Sequence, residues 1–187
     1  LTAEQLTIIV NTGDDFEHFG LHICPDLDTM LYNLSDVAQP DKGWGIHNDT
    51  SQVMSAIKKL NGATWFHLGD RDLATHLIRT QLMLEGKTLT EVAQHLCEKL
   101  DIPFTILPMT DEPCRTMVET DMGVLDFQTY FVRHQWKPVV KSIHWKGGTQ
   151  PSEKVLSAIR NADVVIICPS NPFVSIDPIL NLKGIRE

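Results

Sequence analysis

The chain has 187 residues, is 42% hydrophobic and 21% charged, and carries a formal net charge of -8. That length and hydrophobic share support one packed core and exclude the disordered and fibrous classes. The acidic balance, with a pI near 5.4, excludes general nucleic-acid binding, which needs a basic face, and leaves room for a nucleotide ligand.

No segment is long and apolar enough to span a bilayer; the best short run is residues 164–168, VVIIC. The leading residues LTAEQLTIIV lack the basic region and small-residue cleavage site of a signal peptide. Cys24, Cys97, Cys114 and Cys168 are scattered, with no CxxC and no zinc-type histidine spacing. A reduced, cytoplasmic protein without nucleic-acid or membrane partners is the expectation. The chain does not open on Met, and residues 182–187 read as an element cut midway, so a piece of a longer chain is expected.

In chain order, residues 6–10 (LTIIV) form a continuous apolar run that suits a buried parallel strand. Residues 26–37 read as a helix after Pro25, with Leu27, Met30, Leu31 and Leu34 as its apolar stripe. Asp49 is placed as the cap of a second helix bearing Val53, Met54, Ile57 and Leu60. A third helix begins near Asp72; Leu73, Leu77, Ile78, Leu82 and Leu84 suggest a well-buried element stopped by Gly86. Thr88 and Glu91 have the capping-box spacing, which predicts a fourth helix running to Leu100. Residues 104–107 read as a strand, and 115–120 with 124–127 as a β-hairpin around Asp121-Met122-Gly123. Residues 139–145 alternate, 151–161 form a short helix, and 164–168 make the last strand, broken by Pro169-Ser170-Asn171-Pro172. Interleaved strands and helices predict an α/β fold, Rossmann-like, with a mostly parallel sheet flanked by helices and a β-hairpin insertion.

Ligands of such sheets bind beyond the carboxyl ends of the strands, which selects three polar clusters. Asn11-Thr12-Gly13-Asp14-Asp15 offers carboxylate ligands to a hard cation, or serves as an ordinary turn. Pro25-Asp26-Leu27-Asp28-Thr29 opens a helix, where one acid complements the dipole and Asp28 can bind a hydroxyl, act as a base or reach a metal. Gly69-Asp70-Arg71-Asp72 can present backbone N–H groups and a guanidinium to a phosphate, or be a capped helix with a local Asp–Arg pair. His67 and His76 flank it without metal-site spacing. Ser170 lacks a GxSxG context and suits hydrogen bonding better than nucleophilic attack. Trp44, between two glycines, is the tryptophan best placed to meet a planar ligand. No complete Walker A or GxGxxG motif is present. Acidic residues with one arginine, and no nucleophile–base pair, suit metal-assisted phosphoryl transfer.

Taken together, NTGDD (11–15), PDLDT (25–29), WGIHNDT (44–50), LGDRDLATH (68–76), LPMTDEP (107–113), LDFQ (125–128) and PSNPFVSI (169–176) resemble the 2-phospho-L-lactate transferase family, in family order and over nearly the whole chain. The resemblance implies a Mg²⁺-dependent enzyme of coenzyme F420 biosynthesis, usually a homodimer. Its reaction would move a phospholactyl or phosphoenolpyruvyl group from a guanosine diphosphate carrier to a ribityl hydroxyl of the deazaflavin Fo, releasing GMP. Residue by residue, it implies deazaflavin contacts at Asp28 and His67, and Trp44, the aromatic placed for a planar ligand, is added to them. Nucleotide or phosphate contacts fall at Asn11, Thr12, Asp70, Arg71, Ser170 and Asn171, and metal ligands at Asp14 and Asp15. Asp28 and Arg71 carry the catalytic roles. Members have a glycine-rich loop ahead of the first strand found here and continue past Glu187, so residues 1–187 read as one α/β domain incomplete at both ends relative to the family. Two competing readings are a UDP-sugar-binding regulatory protein of the same fold and a fragment without independent activity.

Overall fold

Strand β1 (Thr7–Val10) is β-branched throughout its middle and pairs in parallel with β4 (Thr105–Pro108), from Thr7 opposite Thr105 to Val10 opposite Pro108. This pairing comes from a computed structural model, which describes residues 5–40 and 43–187. The stretch read for a leader therefore lies partly outside the described residues. Helices α1 (Pro25–Leu34) and α4 (Leu89–Lys99) cover the parallel pair. Val10, Leu27, Leu31, Val92, Ala93, Leu96 and Ile106 form the main core between them. The α/β class predicted from the sequence holds.

Two local features set where α1 begins and ends. Pro25 occupies its first turn, where a missing N–H costs nothing. The helix stops at Leu34 rather than residue 37, because Asp36 takes a left-handed backbone (φ 56°). Between β1 and α1 the chain makes a hairpin that the sequence reading missed, β2 (Phe16–His18) with β3 (Leu21–Ile23). Both strands are three residues long, too short for a periodic signal. Phe16 and Ile23 from this hairpin meet Met54 of α2 (Gln52–Lys59) and Leu68 in a second core.

The capping box of α4 is present: Thr88 Oγ1 accepts from the Glu91 amide at 3.2 Å, and Glu91 accepts from the Thr88 amide at 2.8 Å. The predicted hairpin is present as β5 (Cys114–Thr120) and β6 (Gly123–Asp126), and β7 (Val140–Gly147) adds to the other edge of β5, all antiparallel. Helix α5 (Glu153–Arg160) falls within the predicted 151–161. A short α6 (Asp177–Leu180) follows a π-helical turn, Pro172–Ile176.

Three expectations are corrected. Residues 164–168 are not a strand: they are exposed and, among the described residues, pair with no other strand. A β-branched run becomes a strand only where a neighbour supplies hydrogen-bond partners. Asp49 does not cap α2; Ser51 occupies that cap position, and Asp49 bonds elsewhere. Helix α3 (Asp70–Leu84) buries its leucine stripe only in part: Leu73 and Leu82 pack at the edges of the two cores, but Leu84 is 84% exposed and Leu77 51%, whereas His76 and Arg79 are 1% and 0% exposed. Its polar face turns inward because a buried carboxylate on α1 needs a countercharge there.

Candidate active site

The site is built at the amino ends of α1 and α3, beside the loop that leaves β1. Asn11 organises that loop. Its Oδ1 accepts from the Gly13 amide at 2.8 Å, and its Nδ2 donates to Asp26 Oδ2 at 2.8 Å and to the Val174 carbonyl at 3.1 Å. One amide side chain thus joins the NTGDD loop, the first turn of α1 and the PSNP turn. The loop is closely packed: a Cβ on Gly13 would approach Thr116 Oγ1 to 2.6 Å. Asn171 holds the third partner in shape, its Oδ1 accepting from the amides of Phe173 (3.0 Å) and Val174 (3.3 Å).

Thr12, Asp14 and Asp15 are buried in this loop. Burial, with Asp26 and Asp15 close by, pushes the Asp14 carboxyl up to about 8. Its Oδ1 has no hydrogen-bond partner among the described residues. A buried, unpartnered carboxylate oxygen beside a second carboxylate is suited to a hard cation. Asp15 turns elsewhere: its Oδ2 accepts from Cys24 Sγ at 3.1 Å and lies 3.4 Å from His22 Nε2.

Asp28, two residues along α1 from Asp26, is 5% exposed and fully engaged. Arg79 Nη2 donates to its Oδ1, Arg79 Nη1 donates to its Oδ2 at 3.1 Å, and His76 Nδ1 stands 3.5 Å from Oδ2. Burial raises the Asp28 carboxyl, and the Arg79 guanidinium opposes that rise. Arg79 Nη1 also donates to the His22 carbonyl at 3.3 Å. His76 Nε2 lies 3.3 Å from Asp72 Oδ1, which accepts from the Tyr32 hydroxyl at 2.7 Å. Burial works against ionising Asp72, but His76, then Tyr32, outweigh it and hold the carboxyl below its usual range. Arg79 and Tyr32 are not among the residues that the sequence motifs single out. The signal was present: Asp72, His76 and Arg79 are spaced i, i+4, i+7, one face of a helix.

The GDRD segment serves its own helix start. Arg71 and Asp72 donate their amides to Asp49, at 2.9 and 3.1 Å. Asp70 accepts from the Gln52 and Val53 amides at 2.9 and 3.0 Å. The Arg71 guanidinium is exposed and donates through Nη1 to the His47 carbonyl at 3.2 Å. His67, also exposed, has its Nε2 3.2 Å from Ser51 Oγ. The Trp44 indole stands exposed in a loop tied to α1 by Asn33, which donates to the Gly43 carbonyl at 2.9 Å. Ser170 is exposed at the start of the PSNP turn. Asn11, Thr12, Asp14 and Asp15 thus lie together with Asn171, and Asp28 joins Asp72 through Arg79 and His76. Asp70, Arg71 and His67 form a separate, exposed cluster around Asp49 and Ser51.

Comparison with known proteins gives these residues a setting. The 2-phospho-L-lactate transferase of Methanospirillum hungatei is 40% identical over all of this chain, which covers 64% of that protein. The phosphoenolpyruvate transferase of Streptomyces griseus is 42% identical over 98% of the chain, covering 60% of it. The chain therefore spans about three fifths of the length of these relatives. A UPF0052-family protein of Bacillus halodurans shares the fold, with a TM-score of 0.59 and 16% identity, over 96% of this chain and 55% of its own. No helix among the described residues is long and apolar enough to cross a membrane. The family model described as 2-phospho-L-lactate transferase CofD matches residues 1–187, and the chain belongs to that family.

Proposed function

We propose that the complete protein transfers a phospholactyl or phosphoenolpyruvyl group from a guanosine diphosphate carrier to the ribityl hydroxyl of the deazaflavin Fo, in the cytoplasm and in coenzyme F420 biosynthesis. The observation that carries the reading is the Asn11 junction, which gathers buried carboxylates, an α-helix amino terminus and the PSNP turn around one point. Family membership supports the transferase class.

In this reaction the acceptor hydroxyl oxygen bonds the phosphorus that bears the lactyl group. The bond from that phosphorus to the bridging oxygen breaks, and its electron pair leaves on GMP. The hydroxyl proton passes to a carboxylate or to water. Asp14, with Asp26 beside it, would hold Mg²⁺; Asp15, the other acid of the loop, is turned toward His22 and Cys24. When bound, the cation neutralises diphosphate charge. Asn11, Thr12, Ser170 and Asn171 line the phosphate side. Asp49 fixes the backbone of Arg71 by accepting from its amide, and the exposed Arg71 guanidinium would have to leave the His47 carbonyl to meet the leaving phosphate. Trp44 and His67 border the deazaflavin side. Asp28 orients the acceptor. Both of its oxygens are engaged by Arg79, which favours orientation over proton abstraction.

The Asp28→Asn variant of the complete protein tests this assignment. Turnover should fall by at least about a hundredfold, and the slope of the rate against pH should stay as in the parent if Asp28 orients. Near-normal turnover removes Asp28 from the mechanism.

A further inference from the structure

We propose that Asp15, His22 and Cys24 form a binding site for a single divalent transition-metal ion of the zinc class, distinct from the oxygen-ligand site at Asp14. The proposal does not depend on the transferase reading. All three residues are buried, and one ligand atom from each lies within 4.8 Å of the other two. His22 and Cys24 are two apart at the end of β3, which turns both side chains to one side of the strand. The β1 loop brings Asp15 to them, with Oδ2 at 3.1 Å from Cys24 Sγ and 3.4 Å from His22 Nε2.

Three observations distinguish this cluster from a simple hydrogen-bonded trio. The first is the second nitrogen of His22: Nδ1 lies 2.8 Å from Glu17 Oε1. A hydrogen on Nδ1 donated to Glu17 leaves Nε2 as a lone-pair donor, and an outer carboxylate of this kind orients most metal-bound histidines. The second is an unsatisfied oxygen: among the described residues, Asp15 Oδ1 is buried without a partner, as is Thr12 Oγ1. The third is space. Thr12, Asp15 and His22 line a cavity of about 30 Å³, room for one water or a small ligand. Arg115 also lines it and opposes a cation, but Asp111 and Glu112 border the same cavity and offset that charge.

The donor set selects the ion. One sulfur, one imidazole nitrogen and one carboxylate suit zinc or cobalt and disfavour Mg²⁺, which takes oxygen ligands. Binding replaces the Cys24 thiol proton, which is released to solvent, and forms bonds from the ion to Sγ, Nε2 and the carboxylate. The cavity beside Asp15 and His22 leaves room for a water as a further ligand. Such an ion would fasten the β2–β3 hairpin and the α1 cap residue to the loop carrying Asp14.

The test is titration of the complete protein, metal-free and reduced, with Zn²⁺ and with Co²⁺, in a Cys168→Ser background that removes the exposed thiol. One equivalent of Co²⁺ should bind and give a thiolate-to-cobalt charge-transfer band that Zn²⁺ displaces and excess Mg²⁺ does not. Cys24→Ser should abolish the band. Glu17→Gln, a change at an exposed residue that leaves the fold intact, should weaken Zn²⁺ binding by about ten- to a hundredfold. Absence of binding at micromolar Zn²⁺, a cobalt spectrum without the thiolate band, or an affinity unmoved by Glu17→Gln would each overturn the proposal.

Discussion

Asp49 and Asp70 cap each other's helices. Asp49, ahead of α2, accepts from the Arg71 and Asp72 amides at the start of α3. Asp70, the first residue of α3, accepts from the Gln52 and Val53 amides at the start of α2. Each carboxylate satisfies orphan N–H groups of the other helix and meets the positive end of its dipole. The two helix starts are thereby locked at a fixed distance, which sets Arg71 and His67 relative to each other.

Loss of one member of this pair should loosen both helix starts. Asp49→Ala is expected to cost about 1 kcal/mol, the usual value of a lost cap, and the Asp49→Ala/Asp70→Ala double variant less than the sum of the singles. Gly69→Ala should act like Asp49→Ala, because a Cβ there collides with the Asp49 carboxylate. Urea denaturation of the parent, the two single variants, the double variant and Gly69→Ala checks this; strict additivity would show that the caps act independently.

The exchange of caps also has a pH signature. The Thr50 hydroxyl, then the Val53 and Gln52 amides, hold the Asp70 carboxyl below its usual value of 3.8. A lowered folded-state pKa contributes stability above the unfolded value, and that stability is lost as pH falls through the folded value. Acid unfolding of the parent should therefore be steeper below pH 3.8 than that of Asp70→Asn. Circular dichroism during acid titration measures it, and identical acid limbs would contradict the assignment.

Arg79 is the charge that makes a buried Asp28 tolerable. Arg79→Met leaves that carboxylate uncompensated and should destabilise by about 3–5 kcal/mol, whereas the Asp28→Leu/Arg79→Met pair should recover most of the loss. Thermal unfolding of both variants decides the matter. A single variant as stable as the double would mean that Asp28 is neutral in the fold.

Asp14 makes the opposite pH prediction. Its carboxyl stands at about 8 in the fold against 3.8 ordinarily, chiefly through burial. A raised carboxyl favours folding fully below the unfolded value, and the contribution is lost as pH rises through the folded one. Without a cation, the parent should lose stability between pH 4 and about 8, and Asp14→Asn should not. Excess Mg²⁺ should restore the parent at pH 8 and leave the variant unchanged. Equal pH profiles, or Mg²⁺ rescue of both, would remove Asp14 as a ligand.

The parts of this structure that were legible in the sequence are those encoded locally. The Thr88–Glu91 capping box, the Gly86 stop and the turn between β5 and β6 each depend on residues a few positions apart. What was not legible depends on partners distant in sequence. Asp49 reads as a cap of the next helix, and only the fold reveals that it caps α3 across more than 20 residues. The leucines of α3 suggest a buried stripe, yet the ion pair from Arg79 to Asp28, 51 residues away, turns the other face inward. Residues 164–168 carry strand propensity without a pairing strand among the described residues. Of the candidate site, Asn11 and Asp14 stand out by loop position and Asp28 by its place in the first turn of a helix; Arg79 shows only through its spacing from Asp72 and His76, while Tyr32 and Cys24 give no local reason for notice.

Transferase activity is tested most directly by product analysis of the complete protein. It would be incubated with Fo, Mg²⁺ and either the lactyl or the enolpyruvyl diphosphoguanosine donor, and followed by mass spectrometry. Mg²⁺-dependent formation of GMP in step with the phospholactyl- or phosphoenolpyruvyl-deazaflavin is expected. No product from either donor, together with saturable binding of a UDP-sugar, would contradict it and identify a nucleotide-sugar-binding protein of the same fold.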